Sequence, residues 1–155
     1  MSELISLDPL FRLAPWVVFF PLMGILINLL VGRRLGEKGI GAVGSLAAGL
    51  SFIISVLLAV GLSRVPEGGL VSLAPWIQIG NFEVSWTFRV DTLSAVMMLV
   101  VSGVGTLIHI YSIGYMHSDV RHNGEPARFR RFFVFLNLFI AAMMVLVSAD
   151  NFLML

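Results

Sequence analysis

Residues 92–115, TLSAVMMLVVSGVGTLIHIYSIGY, decide the fold. The run is apolar almost throughout and lies between Arg89/Asp91 and a polar loop that begins near His117. At ~1.5 Å of rise per residue it is long enough, as a helix, to cross a hydrocarbon core of ~30 Å. Three further stretches have the same character: Leu13 to Gly32, Ile40 to Ser63 and Phe132 to Ala149. Pro15 and Pro21 in the first are tolerable in opening turns or as a kink. The spacing therefore predicts an all-α polytopic membrane chain with spans over 13–32, 40–63, 92–115 and 132–149. A fifth begins in the apolar letters that resume after Ala149-Asp150-Asn151.

The composition agrees. Hydrophobic residues make up 58% of the chain and charged ones 12%, against ~45–50% and ~25% in soluble domains. Mean hydropathy is +0.96, more apolar surface than a core of this length can hide from water. A net charge of +1 gives no reason to expect a nucleic-acid partner. The absence of Cys rules out thiolate metal sites and cluster ligation by this chain. The first eight residues carry Glu3 and Asp8 and no base, unlike the basic start of a cleavable signal peptide, so the first span reads as a retained anchor.

Loop charge sets orientation. Lys and Arg number one before the first span (Arg12) and three in the first loop (Arg33, Arg34, Lys38). The second loop has two (Arg64, Arg89) and the third four (Arg121, Arg128, Arg130, Arg131). Basic loops face the cytoplasm, which predicts an outer (periplasmic) N-terminus, cytoplasmic first and third loops, and Asp150 on the outer side. The second loop alternates apolar and polar residues on either side of Gly80-Asn81. Gly at the first central position suits a two-residue type II′ turn. A β-hairpin over 75–89 is expected on the outer surface, with Trp76 and Trp86 near the headgroups.

Within the spans, Gly44/Ala48, Ser45/Gly49 and Ser51/Ser55 repeat small residues four apart, a signal for close helix packing. On the third span Asp91 and His109 share one azimuth. Ser94, Ser102, Gly105, Thr106 and Ser112 lie within ~60° of it at 3.6 residues per turn. Such a stripe faces other helices or water, since unsatisfied groups are costly in hydrocarbon. It is either a proton path or interhelical glue. Asp91 and His109 are ~27 Å apart along the axis, too far to pair directly. His109 is the best titratable candidate inside a span, or else a solvated side chain near the cytoplasmic end. Asp91 is a boundary carboxylate, or simply the cap of the third helix. Asn28 and Asn137 read as interhelical hydrogen-bonding amides. His109, His117 and His122 lack zinc-motif spacing, and no metal or cofactor site is expected. With Asp91 and Asp150 at boundaries, the spans hold no central acid for cation exchange, which argues against a small exporter.

Two stretches carry a resemblance: FRVDTLSAVMMLVVSGVGTLIHIYSIGYM (88–116) and RFRRFFVFLNLFIAAMMVLVSADNFLML (128–155). D-x-L-S, L-I-H-x-Y-S-x-x-Y-M, R-F-F-x-F-x-N-L-F and A-D-N-x-L appear in order and spacing similar to the antiporter-like L subunits of bacterial NADH:quinone oxidoreductase (respiratory complex I). The mitochondrial counterpart is subunit 5. The resemblance is strong from Val90 and weaker before Trp76. It implies that A-D-N-x-L opens a fifth helix, which soon carries a Gly-Trp-Glu segment with a central proton-translocating glutamate. A lysine on a discontinuous helix and a long lateral helix follow. None of these lies within the chain, so the expectation is an N-terminal fragment of a longer subunit.

The implied function is proton translocation coupled to quinone reduction, through glutamate–lysine pairs whose protonation is linked. His109, Asp91 and Asp150 are the proton-pathway candidates here, and the main carriers are expected downstream. NADH, FMN, iron–sulfur clusters and quinone are expected on other parts of the complex. The implied partners are other membrane-arm subunits, especially the adjacent antiporter-like one, and the lipid of a bacterial inner membrane. Two alternatives stand beside this reading: the large subunit of a multi-subunit sodium/proton antiporter, and a non-catalytic membrane scaffold or assembly protein.

Overall fold

The computed structural model describes residues 9–79, 82–123 and 126–154. A 3₁₀ turn, Pro9–Leu13, leads into α1, Trp16–Leu30, followed by α2, Gly32–Arg64. Two strands, β1 (Gly69–Ile79) and β2 (Phe82–Val90), precede α3, Thr92–Asn123, and α4, Pro126–Ser148. Among the described residues, four helical stretches have the length and hydropathy to cross a membrane. The chain is a multi-pass membrane protein, with four long helices and one antiparallel hairpin among the described residues, as the apolar runs predict.

The helices outrun the expected spans. α2 starts at Gly32 rather than Ile40, α3 runs to Asn123 rather than Tyr115, and α4 begins at Pro126. Hydropathy marks where lipid begins and ends, whereas a helix can continue into water with its polar residues solvated. The polar segment after α1 is thus mostly helix, broken at Gly36, whose φ of 66° and ψ of 179° lie in a region essentially reserved for glycine.

The bundle is a closed up-down arrangement. α2 packs on α1, α3 and α4, while α4 packs on α1, α2 and α3, so α1 and α3 occupy opposite corners. The small residues of α2 make this possible. Ala48 is fully buried, and Ser51 Oγ donates to the Val17 carbonyl of α1 at 2.7 Å. On α3 the buried side chains include Ser94, Met98, Ser102, His109, Ser112 and Met116, so the polar stripe read from the sequence is the face turned into the bundle.

The hairpin is longer than expected, pairing from Gly69↔Val90 to Ile79↔Phe82. Register shifts between Ser72 and Ala74 and between Pro75 and Ile77 interrupt the period-2 pattern in β1, which hid its first half. Pro75 has no N–H to donate and is tolerated because β1 is an edge. The Gly80-Asn81 turn lies outside the described residues. Trp76 and Trp86 meet across the strands, edge to face, with ring centroids 5.9 Å apart; both are partly exposed.

After α4 the chain docks on this hairpin. Ala149 bridges Phe88, Asp150 N–H donates to the Thr87 carbonyl at 3.3 Å, and Asn151 Nδ2 donates to the Ser85 carbonyl at 3.1 Å. Asn151 Oδ1 then accepts from Met154 N–H at 3.0 Å, the geometry of a helix N-cap.

Candidate functional site

The three titratable candidates separate into two places. At the hairpin end, Asp91 caps α3. Ser94 N–H donates to Asp91 Oδ1 at 2.7 Å, and Asp91 N–H donates to Ser94 Oγ at 2.9 Å. This reciprocal box satisfies donors that the first helical turn leaves open. The bond from the Ser94 amide is the main reason the Asp91 carboxyl sits below its ordinary value of 3.8; partial burial opposes this, while the Ser94 hydroxyl, the Arg89 charge and the Leu93 amide reinforce it. Asp150 comes to the same end. Arg89 donates to Asp150 Oδ1 through Nε at 2.9 Å and Nη2 at 2.6 Å. One arginine thus ties β2 to the end of α4, close to the α3 cap.

His109 lies alone, far from both acids and fully buried. Its solvated reading gives way: α3 continues well past it, and α2 and α4 cover the ring. Nδ1 is 2.7 Å from the Gly105 carbonyl; a carbonyl only accepts, so Nδ1 carries the hydrogen. Nε2 is buried and has no partner among the described residues.

Two glycines and two amides build the surroundings. A Cβ placed on Gly44 of α2 would lie 2.8 Å from Phe133 Cδ1, 3.1 Å from Asn137 Nδ2 and 3.5 Å from His109 Cδ2. Three helices therefore converge on one point that only glycine leaves open. A Cβ on Gly24 of α1 would meet Ala47 Cβ at 2.7 Å and Asn137 Oδ1 at 3.4 Å, which brings in the fourth helix. One turn further along α1, Asn28 Nδ2 donates to the Ile40 carbonyl of α2 at 3.3 Å. Asn137 Nδ2 instead donates to the Phe133 carbonyl of its own helix at 3.1 Å. These donations orient both amides, and among the described residues Asn28 Oδ1 and Asn137 Oδ1 are left buried without a donor.

This layer divides the interior. Towards the hairpin lies an apolar cluster that includes Ala48, Met98, Ile140 and Met144. On the other side Ile40, Met116, Phe129 and Phe133 form a second. Along α2, α3 and α4 alike, Gly44, His109 and Asn137 fall between the two. The sequence displayed His109, Asn28 and Asn137 separately, and Gly44 as a packing residue; Gly24 carried no signal, and the convergence is a property of the tertiary fold. Among the described residues no three His, Asp or Glu side chains gather as a metal-ligand set.

Residues 76–133 match the family described as NADH-ubiquinone oxidoreductase (complex I), chain 5 N-terminus. Among curated relatives, NADH-quinone oxidoreductase subunit L of Mycobacterium tuberculosis is 41% identical over 144 residues, covering 90% of this chain and 21% of the relative. The subunit L of Rhodobacter capsulatus is 38% identical over 136 residues, 87% of this chain and 19% of its own length. NADH-ubiquinone oxidoreductase chain 5 of Marchantia polymorpha is 35% identical over 139 residues, 90% of this chain and 20% of its own. The chain thus spans about a fifth of the length of the curated relatives it matches. With the chain 5 motif at its centre and this similarity along nine-tenths of its length, the chain belongs to the subunit L/chain 5 family of complex I.

Proposed function

We propose that the chain forms the first four membrane helices of an antiporter-like, proton-translocating subunit of NADH:quinone oxidoreductase. In this reading it lies in a bacterial inner membrane with its N-terminus periplasmic, and quinone reduction elsewhere drives proton movement through the subunit. NADH, FMN, iron–sulfur clusters and quinone are held by other parts of the complex. Its partners are membrane-arm subunits, above all the neighbouring antiporter-like one. The similarity to subunit L and chain 5 proteins supports the assignment to the complex.

One observation carries the proton-handling part: a fully buried imidazole whose Nε2 has no partner among the described residues, in a layer that also holds two amide oxygens likewise without one. With Nδ1 committed to Gly105, the side-chain atoms of His109, Asn28 and Asn137 that have no partner among the described residues are Nε2 and two amide oxygens, all acceptors. A proton arriving at Nε2 converts that nitrogen into a donor, in a layer that holds two amide oxygens without a donor among the described residues. His109 then serves as a relay between the cytoplasmic side and the carriers expected later in the subunit. Asp91 and Asp150, held in a cap and an ion pair, shape the outer end.

The test is His109→Ala in the full-length subunit within the assembled complex. Proton uptake by inverted membrane vesicles, normalised to NADH oxidised, should fall while the complex still assembles at its normal size. Unchanged pumping from acid to alkaline pH would remove His109 from the pathway.

A further inference from the structure

A groove of about 690 Å³ opens at the end of the bundle away from the hairpin, a volume in the range of ligand sites. It is lined by Gly32, Arg33, Leu35 and Lys38 at the start of α2, His117 of α3 and Arg130 of α4. Its charge is lopsided. Glu37, the acid in the wall, is engaged by His117 Nδ1 at 2.7 Å. Among the described residues no carboxylate pairs with Arg33, Lys38 or Arg130. Three cations thus face one opening from two helices.

The backbone is shaped to this end. A Cβ on Gly32 would lie 3.0 Å from Arg130 Cδ and 3.4 Å from Arg130 Cγ, so glycine lets the arginine stem lie across the helix start. Gly36, in its glycine-only conformation, turns the chain between Arg33 and Lys38. Directly before the groove, Leu30 is 80% exposed, and Val31 and Leu35 are exposed as well. A basic opening beside an apolar outer wall at the end of a membrane helix fits an amphiphile with an anionic head.

We infer that this groove binds the phosphodiester headgroup of an anionic phospholipid, with Arg33, Lys38 and Arg130 on the phosphate and the acyl chains along Leu30, Val31 and Leu35. Arg suits phosphate because its planar fork can donate two parallel hydrogen bonds. Basic pockets at helix ends near the membrane surface recognise such heads. A free phosphate would use the cations and gain nothing from the apolar wall, which favours the lipid as the source. The inference concerns the membrane surface and stands apart from the proton-handling reading.

The test uses the whole chain in detergent, with phosphatidylglycerol or phosphatidylcholine added at equal concentration and retained lipid counted by native mass spectrometry. One phosphatidylglycerol should be held in preference to phosphatidylcholine. The triple variant Arg33→Gln/Lys38→Gln/Arg130→Gln should weaken that preference on the order of tenfold or more, given near-surface cations of ~1 kcal/mol each. Arg33→Lys/Arg130→Lys, which keeps the charge, should retain most of it. The charge-matched control Arg12→Gln/Arg64→Gln/Arg121→Gln should leave it intact. Equal retention of the two lipids, or equal loss in the control, overturns the inference. Full displacement of phosphatidylglycerol by millimolar inorganic phosphate would overturn the lipid as the source.

Discussion

Gly44 and Gly49 look alike in the sequence, both small residues at four-residue spacing on one apolar helix, yet the fold gives them opposite tolerance. A methyl group at Gly44 would sit 2.8 Å from Phe133 Cδ1 and 3.1 Å from Asn137 Nδ2. Phe133 cannot easily retreat: it is fully buried, stacked on Phe129 with centroids 5.0 Å apart and edge-on to Phe132 at 5.8 Å. A methyl group at Gly49 would meet Thr106 Cγ2 at 3.7 Å, an ordinary contact. Both changes gain the same helix propensity, ~1 kcal/mol, so their difference isolates packing. Overfilling a tight interior costs ~1–3 kcal/mol. Gly44→Ala is therefore expected to be less stable than Gly49→Ala by about that amount. Unfolding from mixed micelles with rising dodecyl sulfate fraction, followed by helical ellipticity, measures it. Phe133→Leu should partly restore the Gly44→Ala chain, with a coupling of ~0.5–3 kcal/mol. Equal stability of the two alanine variants would refute the packing geometry.

Three further outcomes follow from the ends of the helices. Asp91→Ala should cost ~1 kcal/mol through loss of the α3 cap. Because the folded carboxyl lies below its ordinary 3.8, its contribution is full above that value and disappears as pH falls through the lower folded value; an acid titration of the wild type against Asp91→Ala reads this directly. Arg89→Ala breaks an ion pair whose arginine is half exposed, so the global loss should be only ~0.2–1 kcal/mol, while amide exchange at Asp150 and Asn151 should quicken. Gly36→Ala meets no neighbour yet should cost ~1–3 kcal/mol from backbone strain alone, visible in the same micelle titration.

The legibility of this fold follows the solvent. Lipid demands long apolar runs, so the four spans stand out in the sequence. It demands nothing of helix ends in water, so the turns around Gly32 to Lys38 and beyond Tyr115 do not. The direction of the α3 stripe follows from helical period alone, and Asp91 with Ser94 three residues later is a readable cap. Neither the depth of His109 nor its neighbours is local information. Asn28, Asn137 and Gly44 are separated by long stretches of chain, and only the closed arrangement of α1, α2, α3 and α4 brings them to one level. The first half of β1 was hidden by its two register shifts, which break the alternation that betrays a strand.

The remaining choice, between glue and proton handling for the polar layer, turns on where its hydrogen bonds go. Interhelical glue requires bonds that cross from one helix to another. Asn28 makes one, to Ile40. His109 Nδ1 and Asn137 Nδ2 each donate to a carbonyl four residues back in their own helix, and His109 Nε2 and Asn137 Oδ1 have no partner among the described residues. Removing the imidazole therefore loses no cross-helix hydrogen bond and relieves one unsatisfied nitrogen. His109→Met keeps an unbranched, adaptable side chain of similar reach against Phe133, whose ring centroid lies 5.9 Å from the imidazole. Removing an unsatisfied polar atom in favour of an apolar group of similar shape is near neutral or stabilising. The stability of His109→Met in micelles should stay within ~0.5 kcal/mol of wild type or rise, the range of a change that breaks no special feature. In the full-length subunit the same change should slow pumping as His109→Ala does. A loss above ~1 kcal/mol with pumping unaffected would reverse the assignment, making His109 a packing residue and leaving the polar layer as glue.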